Sequence, residues 1–193
     1  MAVVQVRKRL LFGSLAVSAV MSTAIGWAIA QNSSSPGGGG ADGGADVDVG
    51  LIETNDDVRG EPLPDATVQT LEGAAVRIAS LTGQPLVLNV WSSTCIPCRE
   101  ELPDYAAVHQ RYGDRVRFVG IDYLGASAIE EDFARDKGVQ YELLYDTNGE
   151  FIVATGLAAF PVTLFVAPDG TVVRQTGQLD QAELEQYVQE LLA

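Results

Sequence analysis

The two cysteines of this chain, Cys95 and Cys98, are separated by Ile96 and Pro97. They follow the apolar run 86–91, which is typical of a buried strand, and they precede a stretch with the pattern of a helix. Backbone N–H groups and the positive end of a helix dipole stabilise a thiolate on the first cysteine. A thiolate attacks a disulfide, and a second thiol nearby resolves the mixed disulfide that forms. The spacing therefore predicts a pair that cycles between dithiol and disulfide.

Two other uses of the pair fit the sequence less well. A structural zinc site takes four Cys or His ligands, and the chain offers two cysteines and one histidine, His109. Counted along a helix at 1.5 Å per residue, His109 lies about 16 Å beyond Cys98, too far for a co-ligand or a proton relay. A structural disulfide would close a very small loop, where the entropic gain is least. We expect no metal and no cofactor apart from the Cys95–Cys98 disulfide.

The chain is acidic, with 26 Asp and Glu against 12 Lys and Arg and a formal net charge of −14. A negative surface repels phosphate backbones, so nucleic-acid binding is not expected. Hydrophobic residues make up 47% of the chain and charged residues 20%, which is typical of a globular domain. The length allows one ordinary domain with additional segments, and we expect a monomer.

The N-terminal segment has the composition of an export signal. Arg7 to Arg9 are basic, and the residues Leu10 to Ala30 carry no charge. The basic flank predicts that the chain after this segment is exported. The segment is long enough to span a bilayer, which takes about 20 residues, whereas Ala28-Ile29-Ala30 resembles a cleavage site. The sequence predicts either an uncleaved membrane anchor, which we favour, or a signal peptide cleaved at Ala30.

The next segment is rich in Ser, Gly and Asp, a composition typical of a flexible spacer. A spacer is useful to a tethered domain, so it favours the anchor. The sequence thus divides into a signal peptide or anchor at 1–30, a linker at 31–57 and a folded domain at 58–193. Export agrees with the cysteine usage. An oxidising compartment permits structural disulfides, and because the chain has no other cysteines to form them, the Cys95–Cys98 pair is left for redox cycling.

Strand and helix patterns alternate in the folded part. They predict a hairpin at 66–78, strands at 85–91, 116–123, 141–145, 161–167 and 171–175, and helices near 95–112, 126–137, 150–155 and 180–192. Such an order gives an α/β domain, a three-layer sandwich with a mixed sheet and an N-terminal β-hairpin extension. The cysteines follow the C-terminal end of their strand, where α/β sheets hold their sites.

The stretch from Val87 to Pro103 resembles a family signature. It reads Val-Leu-Asn-Val-Trp-Ser-Ser-Thr-Cys-Ile-Pro-Cys-Arg-Glu-Glu-Leu-Pro. This is similar to Asn-Phe-Trp-x-x-Trp-Cys-x-Pro-Cys-Arg-x-Glu-x-Pro of the bacterial TlpA-like and ResA-like membrane-tethered thiol-disulfide oxidoreductases, in the thioredoxin superfamily. Residues 156–165 resemble the cis-proline loop of that family. The resemblance covers 62–193 and implies a thioredoxin-like fold with Pro161 in cis beside the cysteines.

The resemblance also implies roles. Cys95 attacks a protein disulfide and Cys98 resolves the intermediate, at the extracytoplasmic face of the cytoplasmic membrane, with a CcdA-like membrane thiol carrier as electron donor. Residues expected to shape the site are Trp91, Thr94, Ile96, Pro97, Phe160 and Pro161. Reduction of protein disulfides is the favoured activity. Disulfide introduction is the alternative, because direction follows the reduction potential.

Three positions depart from related patterns. Asn89 stands where cytosolic thioredoxins have a buried Asp, and because an amide cannot accept a proton the route for the Cys98 proton is left open. Thr94 replaces a common Trp. Ile96 stands where some cytochrome-maturation members carry an acidic residue, which weakens the case for haem-apoprotein substrates.

The charged residues after the cysteines are expected to form a solvated face: Arg99, Glu100, Glu101 and Asp104. Glu101 matches the acidic position of the family, and no catalytic role is assigned to it.

Two other classes of protein fit the sequence poorly. Thiol peroxidases have Thr three residues and Pro seven residues before their cysteine, where Ser92 and Leu88 precede Cys95. A copper-handling module needs Cys-x-x-x-Cys and a distant His. A redox-inert or metal-handling binding module is the alternative from a different class.

Overall fold

The computed structural model of the protein describes residues 55–193. The predicted signal peptide or anchor and the predicted linker as far as residue 54 lie outside the described residues. Within the described range, no helix combines the length and the apolar character needed to cross a membrane.

In residues 55–193, seven strands form one mixed sheet in the order β2-β1-β5-β4-β3-β6-β7. The strands are β1 (Thr67–Gln69), β2 (Ala75–Arg77), β3 (Leu86–Trp91), β4 (Arg117–Asp122), β5 (Glu142–Tyr145), β6 (Val162–Val166) and β7 (Val172–Thr176). All six residues of β3 are buried, between parallel β4 and antiparallel β6. This central place explains the continuous apolar run, because a strand covered on both faces has no solvent-facing positions.

The described helices are α1 (Ile96–Tyr112), α2 (Ala128–Asp136), α3 (Glu150–Thr155) and α4 (Gln181–Leu191), with a 3₁₀ helix at Ile78–Leu81. Local caps determine where several of them begin. The side chain of Ser127 caps α2, and Asp180 forms a capping box with Glu183 at the start of α4. A glycine with positive φ flanks α3 at each end.

Hydrophobic clusters cover both faces of the sheet. Successive side chains of a strand point to opposite faces. Val87 and Trp91 accordingly pack with residues of α1, α2 and α4, whereas Leu88 and Val90 pack with residues of α3 and the 3₁₀ helix. The predicted α/β class and mixed sheet are confirmed, and the strands β1 and β2 pair antiparallel at one edge.

Strand pairing brings distant segments together at the end of β3. Trp91, the last residue of β3, is opposite Asp122 of β4, and Asp122 is opposite Tyr145 of β5. On the other side, Val90 is opposite Val162, so the segment that leads into β6 arrives beside the segment that leaves β3. The loops that follow β3 and β4 and the loop that precedes β6 therefore meet at one edge of the sheet.

Candidate functional site

The two cysteines form a disulfide, with their Cα atoms 5.3 Å apart. Cys95 is the N-cap residue of α1 and is half-buried, and its Sγ accepts a hydrogen bond from the N–H of Cys98 at 3.3 Å. Cys98 lies one turn inside the helix and is fully buried. Pro97 occupies the first turn, where a missing N–H costs nothing. Cys95 is therefore the sulfur closer to solvent and to the positive end of the helix dipole.

The residues around Cys95 differ sharply in exposure. Ile96 is 69% exposed, and Thr94 is exposed with its hydroxyl 3.1 Å from Oγ of Ser92. Trp91 is fully buried, and its ring stacks on Phe133 with centroids 6.3 Å apart. Ile96 and Thr94 can therefore contact another molecule, whereas Trp91 packs in the core behind the cysteines.

The loop before β6 lies beside the cysteines. The Phe160–Pro161 peptide bond is cis, and Pro161 is buried. Phe160 is half-buried and stacks on Tyr123 with ring centroids 4.0 Å apart. Phe160 and Cys95 both pack against the hydrophobic cluster that includes Cys98. The fold thus brings together the segments that carry the site residues named from the sequence.

Asn55, the first described residue, holds the same loop. Its Oδ1 accepts hydrogen bonds from the N–H groups of Ala158 and Ala159 at 2.7 and 2.8 Å, and its Nδ2 donates to the carbonyl of Ala159 at 3.0 Å. The N–H of Asp56 donates to the carbonyl of Gly156 at 3.1 Å. Residues 156–159 are therefore fixed by a segment about one hundred residues earlier in the chain.

Glu101 is buried, so the prediction of a solvated face is wrong for this residue, although Arg99 and Glu100 are exposed as expected. Its carboxylate accepts a hydrogen bond from Nδ2 of Asn89 at 2.8 Å and one from the N–H of Leu179 at 3.2 Å. Its position three residues after Cys98 puts both on one helix face. The buried residues of α1 follow helical spacing, and this signal could have identified Glu101: Cys98, Glu101, Leu102, Tyr105 and Val108.

The surroundings of Glu101 suit proton transfer. Burial raises the pKa of Glu101 to about 8, although the hydrogen bonds from Asn89 and Leu179 oppose the rise. A carboxyl group with a pKa near neutral can both accept and return a proton. A surface cavity of about 370 Å³ reaches this carboxyl group, and its lining includes Glu100, Asp104 and Glu183. Asn89 thus donates a hydrogen bond to a carboxyl group that is able to accept a proton, which an amide is not.

The ring of His109 packs against aromatic side chains at the edge of the core. Its ring contacts Phe118 and Tyr141 edge-on, with centroids 5.4 Å apart in each case. Among residues 55–193, no group of three or more His, Cys, Asp or Glu side chains is arranged to hold a metal ion.

The chain is similar to known proteins in sequence and fold. The model of the AhpC/TSA family matches residues 59–175, more than half of the chain. The thiol-disulfide oxidoreductase ResA of Bacillus thuringiensis subsp. konkukian is 24% identical over 134 residues, which cover 68% of this chain and 78% of that protein.

Two solved structures show the same fold. A secreted disulfide oxidoreductase of Mycobacterium tuberculosis, homologous to DsbE, is 30% identical with a TM-score of 0.57, and the match covers 65% of this chain and 95% of that one. A thiol:disulfide interchange protein of the thioredoxin family from Chlorobium tepidum is 24% identical with a TM-score of 0.60, covering 72% and 100%. The predicted thioredoxin-like fold is confirmed. The chain belongs to the AhpC/TSA family, as a thiol-disulfide oxidoreductase of the thioredoxin type.

Proposed function

We propose that this oxidoreductase reduces disulfide bonds of proteins outside the cytoplasmic membrane, by cycling Cys95 and Cys98 between dithiol and disulfide. The observation that carries the proposal is the asymmetry of the pair. Cys95 reaches solvent at the start of α1, and Cys98 is buried one turn later on the same helix face as Glu101. The first position suits a nucleophile and the second a resolving thiol.

The proposed cycle balances in two steps. The Cys95 thiolate attacks one sulfur of the substrate disulfide, and the other substrate sulfur leaves as a thiolate. Cys98 then gives its proton to Glu101 and attacks the Cys95 sulfur, which releases the second substrate sulfur and leaves the Cys95–Cys98 disulfide. Two electrons pass to the substrate. A thiol donor must return them, and the family resemblance indicates a CcdA-like membrane carrier.

The surface around Cys95 favours polypeptide substrates. Ile96 is exposed and Phe160 is half-buried, so apolar side chains flank the proposed nucleophile. Covering them with a protein segment removes apolar surface from water, which a small thiol compound does less well. The related oxidoreductases support the same class of reaction.

Electrostatics favour reduction over oxidation. A strong oxidant such as DsbA depends on a stabilised thiolate in its reduced form. Here the carboxylate of Glu130 is hydrogen-bonded to Ser93, two residues before Cys95. Negative charge nearby disfavours a thiolate. The dithiol is then the less stable form and the better electron donor, and disulfide introduction is the alternative.

We expect the reduction potential of the full chain to lie at about −270 mV or below, the value of thioredoxin, because its thiolate is poorly stabilised. The measurement equilibrates the protein with thiol–disulfide buffers and counts free thiols after acid quenching. A value at about −120 mV, that of DsbA, would assign the oxidant role instead.

The Cys98→Ser variant should accumulate a mixed disulfide with protein substrates through Cys95, because the resolving thiol is missing. Non-reducing electrophoresis of alkylated samples, followed by peptide mapping, detects the adduct and locates it. Cys95→Ser is the matched variant, and it should trap no substrate. Adducts at Cys98 in that variant would reverse the two roles.

The Glu101→Gln variant should resolve mixed disulfides roughly 100-fold more slowly at neutral pH, because the proton acceptor for Cys98 is lost. In the parent protein this rate should rise with pH as Glu101 ionises near pH 8, and the variant should lack that rise. Rapid-quench kinetics over pH 6–9 measure both effects. Glu72→Gln, at an exposed position, is the control. A parent-like pH profile in Glu101→Gln would remove Glu101 from the cycle.

The same substitution has an opposite effect on stability. The pKa of Glu101 is higher in the folded chain, about 8, than its ordinary value of 4.5. Folding therefore favours the protonated acid, and this contribution is complete below pH 4.5 and is lost as pH rises to about 8. At pH 8, Glu101→Gln should raise the free energy of unfolding by an amount on the order of a few kcal/mol, measured by urea denaturation.

The proposed location is the outer face of the cytoplasmic membrane, with Leu10–Ala30 as an uncleaved anchor. An acidic domain on a spacer stays close to a membrane electron donor, which raises the effective concentration of both. We expect the native protein in the membrane fraction with its N-terminal segment intact. A soluble protein whose N-terminal sequence begins at Gln31 would establish cleavage and release instead.

A further inference from the structure

Glu130, on α2, reaches the loop that ends at Cys95. Its buried carboxylate accepts hydrogen bonds from the N–H of Ser93 at 2.8 Å and from the Ser93 hydroxyl at 2.5 Å. Two residues later, the N–H of Cys95 donates to the carbonyl of Ser92 at 3.3 Å, so the backbone turns tightly here. Glu130 is thereby attached to the turn that places the Cys95 sulfur.

Asp122 lies behind Glu130, at the end of β4, and is fully buried. Its Oδ1 accepts a hydrogen bond from the N–H of Leu124 at 2.7 Å. Its Oδ2 has no hydrogen-bond partner in the described part of the chain, and the nearby carboxyl group of Glu130 helps to raise the pKa of Asp122. Two carboxyl groups attract each other only when a proton lies between them. A proton held between Asp122 and Glu130 would give Oδ2 of Asp122 its missing partner.

Asp122 and Glu130 differ in their pKa values, so one of them is protonated and the other is charged. Burial raises the pKa of Asp122 to about 8; the N–H of Leu124 opposes the rise and Glu130 adds to it. Burial alone would raise the pKa of Glu130 as well, but the hydrogen bonds from Ser93 and Asp122 hold it below its usual value. At neutral pH, Glu130 carries the negative charge and Asp122 carries the proton.

We propose that Glu130 is a positioning residue that fixes the turn before Cys95 through Ser93 and makes the Cys95–Cys98 disulfide harder to reduce. Asp122 is the partner that holds the shared proton. The inference rests on the proposed dithiol–disulfide cycle, and it adds a determinant of reduction potential that lies outside the Cys-x-x-Cys segment.

The length of the intervening chain limits the distance between the Glu130 carboxylate and the Cys95 sulfur. The backbone advances at most about 3.6 Å per residue, and the hydrogen bond and the cysteine side chain add about 3 Å each, so the carboxylate that is hydrogen-bonded to Ser93 lies within roughly 13 Å of the Cys95 sulfur. At an effective dielectric constant of about 20, one charge at that distance changes thiol ionisation by about tenfold. A negative charge disfavours the thiolate, so the dithiol form loses stability relative to the disulfide.

Other ionisable groups near the two acids are engaged elsewhere. On β5, the hydroxyl of Tyr145 donates to Glu131 at 2.5 Å, and Glu131 pairs with Arg135 at 2.6 Å. On α1, the guanidinium of Arg99 lies over the ring of Phe133, 5.3 Å from its centroid, and Lys137 lies over the same ring. Glu130 is the charged group that is hydrogen-bonded to the cysteine loop itself.

The test uses Glu130→Gln in the full chain, because glutamine removes the charge and keeps an acceptor for the Ser93 N–H. We expect the pKa of the Cys95 thiol to fall by about one unit. At a pH above the thiol pKa, the equilibrium constant with glutathione should shift about tenfold toward the dithiol, which is about 30 mV for a two-electron couple, and below that pKa the shift should shrink. Ultraviolet thiolate absorbance and alkylation of equilibrated samples measure the two quantities.

Asp122→Asn gives a second, pH-resolved readout. At pH 7 it replaces a protonated acid with a neutral amide that still donates to Glu130, so its reduction potential should equal that of the parent. Above pH 8 the parent gains a second charge and the variant does not, so the variant should become easier to reduce than the parent. An identical pH dependence of the two potentials would overturn the shared-proton pair.

Asp132→Asn is the matched control, because it removes one carboxylate from an exposed position on the same helix. We expect less than a twofold shift in either measurement. Values for Glu130→Gln equal to those of this control would overturn the inference while the parent still exchanges disulfides. Failure of the proposed function itself would show differently, as a parent protein that exchanges no disulfides at all.

Discussion

The arrangement of the site depends on the burial of acidic side chains around the end of β3. A carboxylate in a protein interior is costly unless hydrogen bonds replace its hydration. Asn89 and Leu179 provide them for Glu101, and Ser93 provides them for Glu130. The same bonds attach α1 to the central strand and α2 to the cysteine loop. The buried acidic side chains of this site therefore also hold its segments together.

The sequence predicted those parts of the fold whose causes are local. The apolar run of β3 identifies a central strand, and the two cysteines after it identify the start of α1. The capping box of Asp180 and Glu183 spans three residues, so it is visible without the fold. The family signature added the cis form of Pro161, which no local pattern supplies.

The parts that the sequence missed depend on partners far away in the chain. Glu101 stands among charged neighbours, and its burial follows from Asn89, 12 residues earlier on the strand that α1 covers. Glu130 is three residues after Ser127, the cap of α2, which suggests a local capping role. Its hydrogen bonds go instead to Ser93, 37 residues earlier. Periodicity predicts which face of a helix is buried, but it does not predict which side chain of another element packs against that face.

Asn55 gives the N-terminal segment a mechanical role. A fragment that begins at residue 58 would keep every described strand and both cysteines, yet it would lack the amide that grips Ala158 and Ala159. These hydrogen bonds lie next to Phe160, so they help to fix the loop beside the cysteines. A pull, a crosslink or a bound molecule acting on the chain just before Asn55 would be transmitted to that loop by three hydrogen bonds, without any change at the sulfur atoms.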